Sequence, residues 1–259
     1  MYQGYFIDLD GTMYKGKEKI PAAPRFIDRL RAAGKQILFV TNNSTKAPEA
    51  VAQNLSRNHG IEAYATEIYT TALATADYLK ATVTDRPKTA YVVGEVGLKT
   101  AIQAAGFTLT ADHPSYVVVG LDTQVTYAKL ETAVLNILAG STFIGTNADS
   151  NLPNEKGLTP GAGALIQLVA YATAVKGIKP IMIGKPEPLI MELALQKSGL
   201  AKADVVMVGD NYQTDILAGI HTGIDTLLVY TGVSTPAQVA KQAQQPTHTV
   251  PTLDEWHLI

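Results

Sequence analysis

The chain has 259 residues, 46% of them apolar and 17% charged, with a net charge of −2 and no cysteine. That size and mix suit one large or two modest soluble domains with a buried core. The near-neutral charge gives no ground for a nucleic-acid or acidic-membrane partner, and the missing cysteines exclude disulfides and thiolate metal sites. Met1 leads almost directly into a strand, without a basic n-region or cleavage site. The longest apolar stretch, 162–175, contains Gln167 and is too short for a bilayer, so cytoplasmic residence is expected.

The first strand is expected over Tyr5–Leu9 and runs into Asp8-Leu9-Asp10-Gly11-Thr12. With a period of two, both carboxylates leave the strand tip on the same side. Gly11 lets the backbone turn close to a ligand, and Thr12 offers a hydroxyl and an amide. One carboxylate can attack phosphorus while its neighbour handles the leaving-group proton. The plainer alternative is an acidic strand-to-loop turn, but two acids directly after a buried strand are hard to explain by packing.

A helix over Ala22–Ala33 stops at Gly34, and a second strand, Gln36–Thr41, ends in Thr41-Asn42-Asn43. Ser44 and Thr45 lead from there into a helix over Pro48–Asn58. Such a turn presents free amides and the positive end of a helix dipole, which suits an anion; the same residue types also serve as ordinary helix caps.

Next comes a block, 80–178, without a comparable patch. It has its own expected strands, Ala90–Val93, Tyr116–Leu121 and Thr142–Thr146, and a helix over Tyr127–Leu138. Its acidic and basic residues balance, and 83–87 and 176–180 are the natural linkers. The strand Pro180–Ile183 then leads to Gly184-Lys185-Pro186, where the lysine can balance carboxylates and phosphate charge or simply snorkel to the surface. After a helix over Leu189–Ser198, the strand Val205–Gly209 ends in Asp210-Asn211, with Thr214-Asp215 opening a helix to Thr222. Asp210 can supply a further oxygen to Mg²⁺, and Asp215 can fix Lys185 or a metal-bound water. A strand over Thr226–Tyr230 follows.

Alternating strands and helices, with continuous apolar strand runs, predict an α/β fold: a doubly wound parallel sheet with right-handed crossovers. Residues 1–79 and 179–259 would form a catalytic core and 80–178 an inserted, smaller α/β cap. In such a sheet ligands bind outside the carboxyl ends of the strands, where all four patches would meet. No Walker-type loop or dinucleotide fingerprint is present, and the five histidines lack metal-ligand spacing. His221, near a helix end, reads as structural.

At these residues the chain resembles the haloacid dehalogenase superfamily of phosphatases, in its NagD and 4-nitrophenylphosphatase-like branch. Asp8 to Thr12, Thr41 to Asn43, Lys185, and Gly209-Asp210 with Thr214-Asp215 match the four family motifs. Thr146–Asp149 and Pro160–Gly163 are similar to the branch's Thr-Asn-x-Asp and Pro-Gly-x-Gly, and Met13 stands where leucine is usual. The resemblance implies that Asp8 attacks phosphorus to form an aspartyl-phosphate. Asp10 would protonate the leaving oxygen and then activate water. Mg²⁺ would be held by Asp8, the Asp10 carbonyl and Asp210, with Asp215 in support. Thr41, Asn42, Asn43 and Lys185 would bind the phosphoryl group.

The expected activity is Mg²⁺-dependent hydrolysis of a small phosphomonoester: a nucleoside monophosphate, sugar phosphate, phosphoglycolate or aryl phosphate. Two alternatives stand beside it, a phosphoacceptor of the response-regulator type and another superfamily chemistry such as phosphonate or haloacid cleavage. The partner would be a small phosphorylated metabolite, with neither nucleic acid nor membrane, and a homo-oligomer is compatible with the sequence.

Overall fold

The computed structural model of the chain describes residues 1–154 and 156–258. In chain order the elements begin with β1 (Gly4–Ile7), β2 (Tyr14–Lys15), β3 (Glu18–Lys19), α1 (Ala22–Ala32), β4 (Gln36–Thr41), α2 (Pro48–His59), β5 (Ile68–Thr70) and α3 (Thr71–Thr82). Then come β6 (Thr89–Val93), α4 (Val96–Ala104), β7 (Thr108–Leu109), β8 (Tyr116–Val119), α5 (Tyr127–Leu138) and β9 (Thr142–Gly145). The hairpin β10 (Asn151–Asn154) and β11 (Gly157–Pro160) precedes α6 (Ala162–Thr173), β12 (Ile181–Met182), α7 (Leu189–Ser198) and β13 (Val205–Gly209). Last are α8 (Leu217–Thr222), β14 (Asp225–Val229), α9 (Pro236–Val239) and β15 (His248–Val250).

These elements form two compact units. One gathers Met1–Thr41, Pro48–Tyr69 and Lys185–Ile259; the other gathers Asn42–Ala47 and Thr70–Gly184. The first is built on a six-stranded sheet in the order β15-β14-β13-β1-β4-β5. Alternate residues of its strands, Tyr5, Ile7, Phe39, Val206 and Val208, join Phe26, Ile27 and Leu30 of α1 and Leu55 of α2 in one buried cluster. Phe6, Leu38 and Met207 on the opposite face are buried too, which is why these strands read as unbroken apolar runs.

The second unit carries a five-stranded parallel sheet, β12-β9-β8-β6-β7. Its core packs Val117, Val119 and Phe143 on Ala133 and Ile137 of α5 and Ile166 and Val169 of α6.

The units divide at different points from those read in the sequence. The expected boundary at 79/80 falls inside α3, a continuous helix without Gly or Pro that packs on α4. The boundary expected at 178/179 lies before β12, which pairs with β9, so the strand ahead of Lys185 belongs to the second sheet. An apolar run announces a buried strand but not which sheet takes it.

Candidate active site

The site grows from neighbouring strands of the first sheet. Ile7 of β1 is level with Phe39 of β4 and with Val208 of β13, so Asp8, Thr41 and Asp210 all emerge at the carboxyl edge. Asp8 is locked into the sheet by its own N–H, which donates to the Val208 carbonyl at 2.8 Å.

Beyond β1 the chain turns sharply at Gly11, whose φ of 95° an L side chain rarely adopts. A Cβ on Gly11 would collide with the Asp210 carboxylate, and so would one on Gly232 in the loop after β14. The two glycines therefore make room for that carboxylate. Its Oδ1 accepts from the Thr12 hydroxyl at 3.1 Å and its Oδ2 from the Val233 N–H at 2.7 Å. Thr231 closes the same loop by donating its hydroxyl to the Gly11 carbonyl at 2.6 Å.

Lys185 is the cationic centre, with only 2% of its surface exposed. Its Nζ donates to Asp8 Oδ1 at 2.5 Å, to Asp215 Oδ1 at 2.7 Å and to the Val40 carbonyl at 3.0 Å. Asp215 lies in a π-helical turn, Tyr212–Ile216, where the N–H groups of Thr214, Asp215 and Ile216 all point at the Asn211 carbonyl. That turn brings Asp215 back over the start of the loop, and its Oδ2 accepts from the Asn211 N–H at 3.1 Å. π-Turns of this kind recur at functional sites.

Carboxylate oxygens of Asp8, Asp210 and Asp215 lie within 4.8 Å of one another. Three acids thus share one ammonium, and the electrostatics follow. Burial, then the Asp215 charge, holds the Asp8 carboxyl well above the ordinary range despite the opposing pull of Lys185. Burial and Asp215 also push Asp210 up to about 6, against its two hydrogen bonds. Burial would lower Lys185, but Asp215 and Asp8 outweigh it and raise its pKa.

A surplus of buried negative charge on hard oxygen donors is what a small divalent cation relieves. Asp8 and Asp210 fit it best. Asp215 spends one oxygen on the Lys185 ammonium and the other on the Asn211 N–H; among the described residues Asp8 Oδ2 accepts no hydrogen bond, and Asp210, though each of its oxygens accepts one, is paired with no cation.

The remaining expected residues divide. Thr41 is buried at the end of β4. Asp10 is exposed, and its Oδ1 accepts from the Gly16 N–H at 3.1 Å. Asn42 and Asn43 belong to the second unit. The Asn42 side chain donates to Asp149 at 3.0 Å, while its carbonyl accepts from Asn147 Nδ2 at 2.9 Å and from the Thr71 hydroxyl at 2.7 Å. Asn43 Oδ1 accepts from both the N–H and the hydroxyl of Thr45, closing the loop before α2. His221 is structural in its bonding, with Nδ1 3.0 Å from the Pro186 carbonyl. Gly232 and Val233 lie outside every sequence motif; the one available signal is a glycine three residues past a buried strand.

Comparison with known proteins gives the family. A family model described as haloacid dehalogenase-like hydrolase matches residues 5–108, and a second HAD-hydrolase-like model matches 182–256. The acid sugar phosphatase of Staphylococcus aureus is 48% identical over 255 residues, covering 98% of this chain and 96% of that protein.

The chain belongs to the haloacid dehalogenase-like hydrolases. Within that family its fold places it with the NagD and p-nitrophenylphosphatase branch. A single mutant of the thermostable NPPase from Geobacillus stearothermophilus superposes with a TM-score of 0.92 at 46% identity, covering 100% of this chain and 99% of that one. NagD from E. coli K-12 gives 0.92 at 31% identity with full coverage of both chains. In this haloacid dehalogenase-like chain Asp8, Asp210, Asp215 and Lys185 form one carboxylate–lysine cluster within the first unit.

Proposed function

We propose that the chain hydrolyses a sugar phosphate or a similarly small phosphomonoester in the cytoplasm, with Asp8 as nucleophile and Mg²⁺ as cofactor. The chain is a phosphatase by its relatives. The observation that carries it is the Asp8 carboxylate, fixed through Oδ1 by Lys185 with Oδ2 left to react. The acid sugar phosphatase similarity supports the substrate class. Among the described residues no helix is long and apolar enough to cross a membrane.

Asp8 and Asp210, with the Asp10 carbonyl, would hold the cation, which supplies charge neutralisation for the transferring phosphoryl group and a fixed orientation for it. Asp8 Oδ2 forms the bond to phosphorus as the ester P–O bond breaks, giving an aspartyl-phosphate. Asp10 gives its proton to the departing oxygen, then takes one from the water that releases phosphate and frees Asp8. Lys185 holds the attacking carboxylate in one rotamer and offsets the charge collecting at the site. Asp215 keeps Lys185 in place. Thr41 and Asn42 would bind phosphoryl oxygens. Asn43, with its oxygen bonded to Thr45, would shape the loop that presents them.

Phosphate release from sugar phosphates, nucleoside monophosphates, phosphoglycolate and p-nitrophenyl phosphate, with Mg²⁺ and with chelator, tests the reading. Sugar phosphates should give the highest kcat/KM among metabolites, and chelator should abolish turnover. Full activity in chelator would remove the metal from the proposal. A nucleotide or phosphoglycolate preferred over every sugar phosphate would remove the substrate class.

A further inference from the structure

Directly after Asp10 the chain folds back as the hairpin β2–β3, with Tyr14 opposite Lys19 and Lys15 opposite Glu18. Gly16, with φ 57°, opens the two-residue turn, as a type II′ hairpin requires. Two residues per strand give such a hairpin little stability of its own. It is nonetheless tied tightly to Asp10. Gly11 N–H donates to the Tyr14 carbonyl at 2.6 Å, and Gly16 N–H donates to the Asp10 carboxylate at 3.1 Å. Where the hairpin sits, the Asp10 carboxylate sits.

Packing of Tyr14 on the core and of β3 on α2 holds the hairpin, and an aromatic ring adds a flat contact. Tyr14 stacks on His59, with ring centroids 4.4 Å apart and planes 17° from parallel. His59 is the last residue of α2, a helix held to the core by Val51, Ala52 and Leu55. His59 is 4% exposed, and its Nδ1 is buried without a hydrogen-bond partner among the described residues. Buried polar atoms nearly always find partners, so an orphan ring nitrogen needs a reason. A leucine would fill the volume without the orphan atom but would offer Tyr14 no flat face. Burial, with some help from Lys19, also lowers the imidazole pKa and so favours the neutral ring.

We infer that His59 and Tyr14 are positioning residues for Asp10, their ring stack fixing the hairpin and, through Gly16, the carboxyl group that protonates the leaving oxygen. This rests on the acid/base role proposed above for Asp10. Among the described residues neither ring hydrogen-bonds to the carboxylate cluster, although the Tyr14 hydroxyl lies close enough to feel the Asp10 and Asp8 charges, so loosening the stack should disturb proton delivery more than phosphate or cation binding. A misplaced general acid matters most for a poor leaving group and least for one already stable as an anion.

The test uses the full-length protein with Mg²⁺, comparing p-nitrophenyl phosphate with the sugar phosphate turned over fastest in the screen above. His59→Leu and Tyr14→Leu should each lower kcat on the sugar phosphate about tenfold, with less than about threefold loss on the nitrophenyl ester and KM steady. Tyr14→Phe keeps the ring and should restore most of the sugar phosphate rate that Tyr14→Leu loses. In an Asp10→Asn background, where no acid remains to be placed, His59→Leu should add almost nothing. If His59→Leu misfolds, the Tyr14 pair decides.

Equal losses on both substrates, no loss on either, or a full His59→Leu effect in the Asp10→Asn background would each overturn the inference. The two readings separate on Asp10→Asn alone. If that variant shows the leaving-group bias and the ring variants do not, only the stack fails. If Asp10→Asn shows no bias, the acid/base role fails and takes the inference with it.

Discussion

The six-stranded sheet of the first unit and the five-stranded sheet of the second both place acidic residues beyond the carboxyl ends of parallel strands. In the second unit Glu95 follows β6, Asp122 follows β8 and Asp149 follows β9. Each has its own local partner. Glu95 accepts from the Thr123 hydroxyl, Asp122 from the Gln124 N–H and Lys129, and Asp149 from Asn42. In the first unit Asp8, Asp210 and Asp215 converge within 4.8 Å around a single lysine. Acids at a sheet edge are therefore not what distinguishes a site. The distinction is convergence under burial with too little counter-charge, which leaves protonation or a cation to complete the balance.

That contrast is open to direct attack, most strongly at the nucleophile. Asp8→Asn should lower kcat/KM by at least about 10³-fold, because an amide neither attacks phosphorus nor binds a cation well. Residual activity within tenfold of wild type, free of contaminating phosphatase, would sink the assignment.

The two lysines come next. Lys185→Met strands two buried carboxylates, so it should cost on the order of 3 kcal/mol by denaturant melts and roughly 10²-fold in kcat. Lys129→Met removes the counterpart in the second unit, where the lysine side chain is 34% exposed. It should cost about 1 kcal/mol and leave turnover unchanged. Similar losses for both would erase the distinction between the sheets.

pH gives a gentler probe. Asp210 titrates near 6 in the folded chain, against about 4 when unfolded. Between these values the folded state binds the extra proton. In chelator its contribution to stability is therefore complete below about pH 4 and is lost as pH rises through 6, by roughly 3 kcal/mol. Asp8, raised for the same reason, adds to that loss. Mg²⁺ should replace the proton and offset the fall. Calorimetry of wild type and Asp210→Asn across this range checks it: a slope that steepens when Asn replaces Asp210 would contradict the account.

The smallest effect is expected at Gly232. Its alanine variant should push the Asp210 carboxylate aside and weaken Mg²⁺ binding about tenfold, measured by titration calorimetry. Unchanged affinity would show that Asp210 does not need that space.

The strands that build the site are legible because β1, β4 and β13 are unbroken, almost wholly buried apolar runs abruptly followed by polar residues. β5 and β15 escaped notice because three-residue edge strands carry too few positions for a pattern. From sequence Lys185 is a lysine after an apolar run, open to a counter-ion role or to snorkelling, and β12, only two residues long, carries no hint that it pairs outside the core sheet. The π-turn that aims Asp215 is a local slip of backbone hydrogen bonding that no side-chain periodicity encodes. Gly232 and Asp210, or His59 and Tyr14, meet only through tertiary packing. A glycine defined by whose carboxylate it spares, and a histidine defined by whose ring it faces, have no signature in one sequence.

By this mechanism Asp8 becomes covalently phosphorylated during turnover. Rapid quench of the Asp10→Asn variant with Mg²⁺ and p-nitrophenyl phosphate, followed by mass spectrometry of the peptide spanning residues 1–15, tests it most directly. In that variant Asp8 is the one carboxylate side chain within the peptide, and slowed hydrolysis should let the intermediate build up. The account expects one added phosphoryl group on this peptide, on Asp8, formed within the first turnover and removed by hydroxylamine. Turnover with an unmodified peptide at every quench time, or a phosphoryl group on another residue, would contradict it.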